Sequence, residues 1–163
     1  MADLLFPSPS YPSFSDPFEF GFLFAMNQYL QTGVEAKASL VVAETDLASV
    51  ISRDSSDAFP RVFATARMVA LMEIAAARGL KPILVDDELS VGVAIDVSHD
   101  AATPIGATVT AHARYLGREG KLYRFEVWAE DAGGAIGRGS HKRAVVSTAR
   151  LLNAAQRRNR DAF

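Results

Sequence analysis

One stretch narrows the possible folds more than any other: FPRVFATARMVALMEIAAARGL, residues 59–80. Positions 65, 68, 69, 72, 73, 76, 77 and 80 share one face of a helix, and all but Thr65 and Glu73 are Met, Val, Ala or Leu. Phe59, Pro60 and Phe63 lead into it, and Gly79 followed by Pro82 supplies the stop. A long apolar helix in a chain otherwise patterned as strands has one evident use, which is to cover the apolar face of a sheet.

The strand patterns are regular. VEAKASLVVAE (34–44) precedes the helix, and TDLASVISRDSSDA (45–58) between them reads as a polar loop with room for a short helical turn. LSVGVAIDVSH (89–99) and ATVTAHARYL (107–116) alternate, GREGK turns the chain into LYRFEVWAED (122–131), and AGG turns it into AIGRGSHKRAVVST (135–148). The glycines of that last strand point to a bulge or a close backbone approach. The expected class is α+β: a five-stranded antiparallel sheet wrapped around one long central helix, the hotdog architecture. Residues 34–148 form this domain. Residues 1–33, with FPSPSYPSFSDPF, read as a Pro/Ser/aromatic N-terminal arm, and residues 149–163 as a basic C-terminal tail or frayed helix.

At 163 residues the chain fits one domain, and with 49% hydrophobic residues and a formal net charge of -2 it suits a globular core. Nothing in that balance calls for nucleic acid. Cysteine is absent, which excludes disulfides and thiolate metal sites. No stretch approaches the roughly 20 apolar residues that span a bilayer. FEFGFLFAMNQYL (18–30) has an apolar heart but no positive flank, since the first basic residue is Lys37. A cytoplasmic protein without membrane contact is expected.

Thr65 and Glu73 stand out on the helix. Eight residues apart, they lie about 80° apart around the axis with roughly 12 Å of rise between them, so they cannot touch directly. An imidazole spans part of such a gap. His99 ends the strand LSVGVAIDVSH, and beside the helix it forms with them a hydroxyl, a general base and a carboxylate that orients the base. An arrangement across a dimer interface serves equally well. Amides of residues 63–65, at the helix N-terminus, suit an oxyanion. His112 and His141 read as structural or exposed.

FPRVFATARMVALME, SVGVAIDVSHDAATPIGATVTAHA and GSHKRAVV together resemble the fluoroacetyl-CoA thioesterase-like branch of the hotdog superfamily, over residues 59–146. The resemblance implies hydrolysis of a small acyl-CoA thioester by a catalytic trio at Thr65, Glu73 and His99. It places a small glycine by the acyl group at Gly92, an aromatic gate at Phe59 and an active-site arginine at Arg143. It implies a homodimer with acyl-CoA as substrate, and neither metal nor cofactor. Ala66, Arg67 and Ile74 depart from the family pattern around the acyl pocket. Lys142, Arg143, Arg157, Arg158 and Arg160 are the cations available for coenzyme A phosphates. Two rivals stand beside hydrolysis. One is a non-catalytic acyl-CoA-binding protein; the other is an enoyl-CoA hydratase, whose expected context DVSH lacks.

Overall fold

The computed structural model describes residues 29–54 and 56–160. Most of the proposed N-terminal arm, residues 1–28, lies outside the described residues, as do 161–163. Strand β1 (Glu35–Val41) is followed by two 3-10 turns, Glu44–Asp46 and Ala48–Val50, and then by helix α1 (Thr65–Leu80). Strands β2 (Glu88–His99), β3 (Thr108–Glu119), β4 (Leu122–Asp131) and β5 (Gly134–Ser147) complete one antiparallel sheet, and helix α2 (Thr148–Arg160) closes the described chain. The order β1-β3-β4-β5-β2 leaves β1 and β2 as edges.

Alternation sets which face of the sheet meets α1. Val109, Ala111, Ala113 and Tyr115 of β3 and Phe125, Val127 and Ala129 of β4 point inward and are buried. Against them α1 buries Met68, Leu71, Met72, Ala75, Ala76, Gly79 and Leu80. Each large side chain among these contributes about 1.5–3 kcal/mol by leaving water, so a charge at Met72 would unseat the helix. Small residues on both surfaces bring them close: a Cβ on Gly79 would stand 3.5 Å from Ala36 Cβ and from a Phe125 ring carbon.

The buried stripe is centred differently from the one that spacing predicts. Leu71, Ala75 and Gly79 belong to it, Glu73 is half-buried and Thr65 is exposed. The two polar residues therefore sit on the rim of the stripe. Polarity is expected there, because neither group has to be sealed in apolar surroundings.

The glycines of β5 mark a close backbone approach. A Cβ on Gly139 would strike the Asp96 carbonyl oxygen of β2 and lie 2.7 Å from Val97 Cα, and one on Gly137 would come 2.8 Å from Met68 Sδ of α1. The ladder also bulges, with an extra residue in β2 between Gly92 and Ala94, in β3 between Tyr115 and Gly117, and in β5 between Ala135 and Gly137, opposite Ala129 and Glu130 of β4.

The C-terminal segment is a capped helix rather than a frayed end. Asp87 accepts the Thr148 amide on its carbonyl at 2.7 Å and the Ser147 hydroxyl on its carboxylate at 2.7 Å, while Ser147 Oγ accepts the Arg150 amide at 3.2 Å. No helix among the described residues is long and apolar enough to cross a membrane.

Candidate active site

The N-terminus of α1 is fixed by backbone contacts before any side chain acts. Ala64, the N-cap, has no side chain to cap with, and its amide donates instead to the Asp46 carbonyl at 2.9 Å. The Phe63 amide donates to the Thr103 carbonyl at 2.9 Å, and Thr103, fully buried, donates its hydroxyl to Asp131 at 2.7 Å. Asp46 also holds Arg67 by a 2.6 Å ion pair and accepts the Ala43 amide at 3.0 Å. Its carbonyl and its carboxylate thus grip the first turn of α1 together.

This clamp delivers Thr65 to His99. Thr65 is the first helical residue, and its hydroxyl caps nothing; it lies 2.9 Å from His99 Nδ1, on the last residue of β2. With Nδ1 accepting from the hydroxyl, the ring proton belongs on Nε2, which is buried and without a partner among the described residues. A cleft of about 340 Å³ opens onto the pair, walled by Phe59, Pro60, Val62, Phe63 and Ala102. Phe59 is half exposed at this cleft.

The free amides are not quite those that sequence spacing suggests. Phe63 and Ala64 donate elsewhere, whereas the Thr65 and Ala66 amides have no partner among the described residues. Both residues are exposed, and these two N–H groups begin the helix, where the dipole is positive.

Glu73 sits apart from the pair within the chain. Its carboxylate makes no hydrogen bond or ion pair among the described residues, and it lies over Gly92, where a Cβ would strike Oε1 and stand 3.1 Å from Cδ. The same Cβ would come within 3.2 Å of His141 Cε1. Gly92 is therefore the gap that lets strand, carboxylate and imidazole meet.

Arg143 belongs to this second cluster, and its guanidinium is engaged within the protein. It is 5% exposed, and its guanidinium donates to Ser90 Oγ at 3.1 Å, Ser90 O at 2.7 Å and Glu73 O at 3.3 Å. A further hydrogen bond, 3.0 Å long, runs to His141 Nε2. Lys142, the other candidate cation on this strand, pairs with Glu119 at 3.0 Å. Burial lowers the Arg143 pKa, an effect that nearby Glu73 opposes.

The three histidines separate by surroundings. His112, half-buried on the outer face of the sheet, stacks on Trp128 with centroids 4.8 Å apart and bonds Glu130 at 3.2 Å. His141, 1% exposed, donates from Nδ1 to the Ala94 carbonyl at 2.9 Å. Burial pushes its pKa down. Among the described residues no cluster of three or more His, Asp or Glu side chains could hold a metal ion.

Two clusters, a hydroxyl–imidazole pair in a cleft and a carboxylate over a glycine beside a buried arginine, thus sit on α1 and the edge strand β2, with β5 supplying the arginine. A family model described as fluoroacetyl-CoA-specific thioesterase matches residues 42–149, which include every one of these residues. The chain belongs to that family. It is 49% identical over 88 residues to the fluoroacetyl-CoA thioesterase of Streptantibioticus cattleyicolor, covering 54% of this chain and 63% of that relative's length. A solved structure of a fluoroacetyl-CoA thioesterase superposes with a TM-score of 0.74 at 36% identity, covering 79% of this chain and 97% of the other. A mutant of a fluoroacetyl-CoA-specific thioesterase, in complex with fluoroacetate and CoA, superposes at 0.68 with 38% identity over 74% and 98% of the two chains. A Thermus thermophilus thioesterase superfamily member, 24% identical with a TM-score of 0.74 over 82% and 96%, shares the fold. The five-stranded sheet around α1 is the hotdog fold of these thioesterases.

Asp46, Ser90, Thr103 and Asp131 escape a reading of the sequence because each acts through a long-range contact. Only Thr103 had a local signal, its place in the motif HDAATP.

Proposed function

We propose that this chain hydrolyses the thioester of a small acyl-CoA, with Thr65 and His99 at the reacting carbonyl. The observation that carries this reading is the 2.9 Å contact between Thr65 Oγ1 and His99 Nδ1, set in a cleft next to two unpartnered helix amides. His99 takes the proton of the attacking oxygen, which belongs to Thr65 or to a water that Thr65 holds. The oxyanion forms against the Thr65 and Ala66 amides. Collapse breaks the carbon–sulfur bond, and His99 returns the proton to the departing thiolate. Where Thr65 is the nucleophile, His99 then deprotonates a water that cleaves the Thr65 ester, and the proton goes back to Thr65 as the acid leaves. Neither a metal nor a redox group has a part in this sequence.

The carboxylate comes from a second copy. β2 is an edge strand with an unpaired backbone, carrying Gly92 near its middle and His99 at its end. Antiparallel pairing of two β2 edges about a two-fold axis between those points brings Glu73 of the partner subunit toward the Thr65–His99 cleft. There it orients the attacking water. Phe59 gates the cleft, and Gly92 with Arg143 lines the acyl end. The working form is a cytoplasmic homodimer with two sites.

A thiol-release assay across short, branched, aromatic and fluorinated acyl-CoAs tests the reading and names the acyl group. Tight binding without thiol release from any of them would leave an acyl-CoA-binding protein in its place.

A further inference from the structure

His141 is the most deeply buried histidine, and thioester hydrolysis as drawn above makes no use of it. Its position is nonetheless specific. On β5, its Nδ1–H is fixed on the Ala94 carbonyl, immediately after the β2 bulge, which leaves Nε2 as an acceptor facing Arg143 Nη1 at 3.0 Å. The same Nη1 reaches the Glu73 carbonyl, and the remaining guanidinium nitrogens hold both the hydroxyl and the carbonyl of Ser90. The edge of the imidazole and the Glu73 carboxylate meet over Gly92.

We infer that His141 is a positioning residue for the reaction, holding Arg143 through Nε2 so that the Glu73 carboxylate is set over Gly92 in its working orientation. This rests on the thioesterase reading of the site. Arginine has no acceptor, so only a ring nitrogen without a proton can hold it, and the Ala94 carbonyl selects the tautomer that supplies one. The charged groups facing the ring are Arg143 from its own strand and Glu73 from α1, with opposite effects on its protonation. Burial decides between them in favour of the neutral ring.

The test compares three substitutions in the full-length protein. His141→Gln places an amide oxygen where Nε2 lies and keeps an acceptor for Arg143. His141→Asn keeps a donor for Ala94 and loses that acceptor, and His141→Phe loses both. We expect kcat to fall roughly 10- to 100-fold in the Asn and Phe variants with KM nearly unchanged, and to stay within a few-fold of the parent in the Gln variant. In the parent, nitrogen NMR of the imidazole should show the neutral Nδ1–H form from about pH 7 to 8. Equal losses in all three variants, losses that track thermal stability, no loss at all, or an imidazole that titrates in that range would each overturn the inference. A parent protein that releases no thiol from any acyl-CoA would remove the thioesterase reading itself, and the inference with it.

Discussion

Thr65 and His99 lie 34 residues apart in sequence, on a helix and on an edge strand, and meet at 2.9 Å with the hydroxyl on Nδ1. Because the hydroxyl caps no amide of its own helix, removing it costs little in folding. Thr65→Ala is expected to lower turnover by roughly 10² to 10⁴ fold while the thermal midpoint hardly moves, and Thr65→Ser to restore part of the rate. Steady-state thiol release alongside thermal unfolding checks both. A parental rate in the Ala variant would take Thr65 out of the chemistry.

Gly92 and Gly139 make a contrasting pair. A methyl at Gly92 meets the end of the Glu73 side chain, which can swing away, whereas one at Gly139 meets the backbone of Asp96 and Val97. Gly92→Ala is expected to stay within about 1 kcal/mol of the parent yet lose roughly tenfold or more in turnover, and Gly139→Ala to lose about 3 kcal/mol. Denaturant unfolding of both variants is the measurement, and a stable Gly139→Ala would contradict the close β2–β5 approach.

Mixed dimers test where the carboxylate acts. Thr65→Ala and Glu73→Gln homodimers should each be nearly inactive. If each site takes Thr65 from one subunit and Glu73 from the other, mixing them under exchange conditions creates heterodimers with one intact site. Activity should then return to about a quarter of the parent's, since about half the dimers are mixed and each has one of two sites. No recovery on verified mixing would confine the site to one chain.

Stability should fall on mild acidification because of His141. Its folded pKa lies below the ordinary value near 6.5, with burial as the main cause. Unfolded chains therefore bind a proton that the native state resists. The contribution is intact above about pH 6.5 and is lost as pH falls from there through the folded pKa. His141→Gln has no such proton to bind, so its thermal midpoint should decline less steeply between about pH 7 and 5. Parallel declines would place the sensitivity elsewhere.

The fold was legible because its signals are local. Period-two alternation marked the strands and a 3.6-residue period marked α1. The stripe centre was not, because alanine and glycine carry so little apolar weight that Leu71, Ala75 and Gly79 are not distinguished from their neighbours until the sheet is in place. Thr65 and His99 could be picked out by residue type and paired by resemblance. The surroundings of Glu73 could not, since they depend on a bulge at Gly92 and on two β5 side chains, His141 and Arg143, whose partners lie 47 and 70 residues away. The burial of Arg143 was not legible either, because it is a property of the assembled sheet.

The bulge in β2 separates Gly92, against the carboxylate, from the stretch 96–99 that ends in His99. On the far side of it, Gly137 and Gly139 press β5 so closely on Ser98 and Asp96 that His99 has little freedom to shift. On the near side, changes to residues 90–93 can reshape the acyl end without moving the base. One strand thus allows selectivity to drift over evolutionary time while the proton chemistry stays in place.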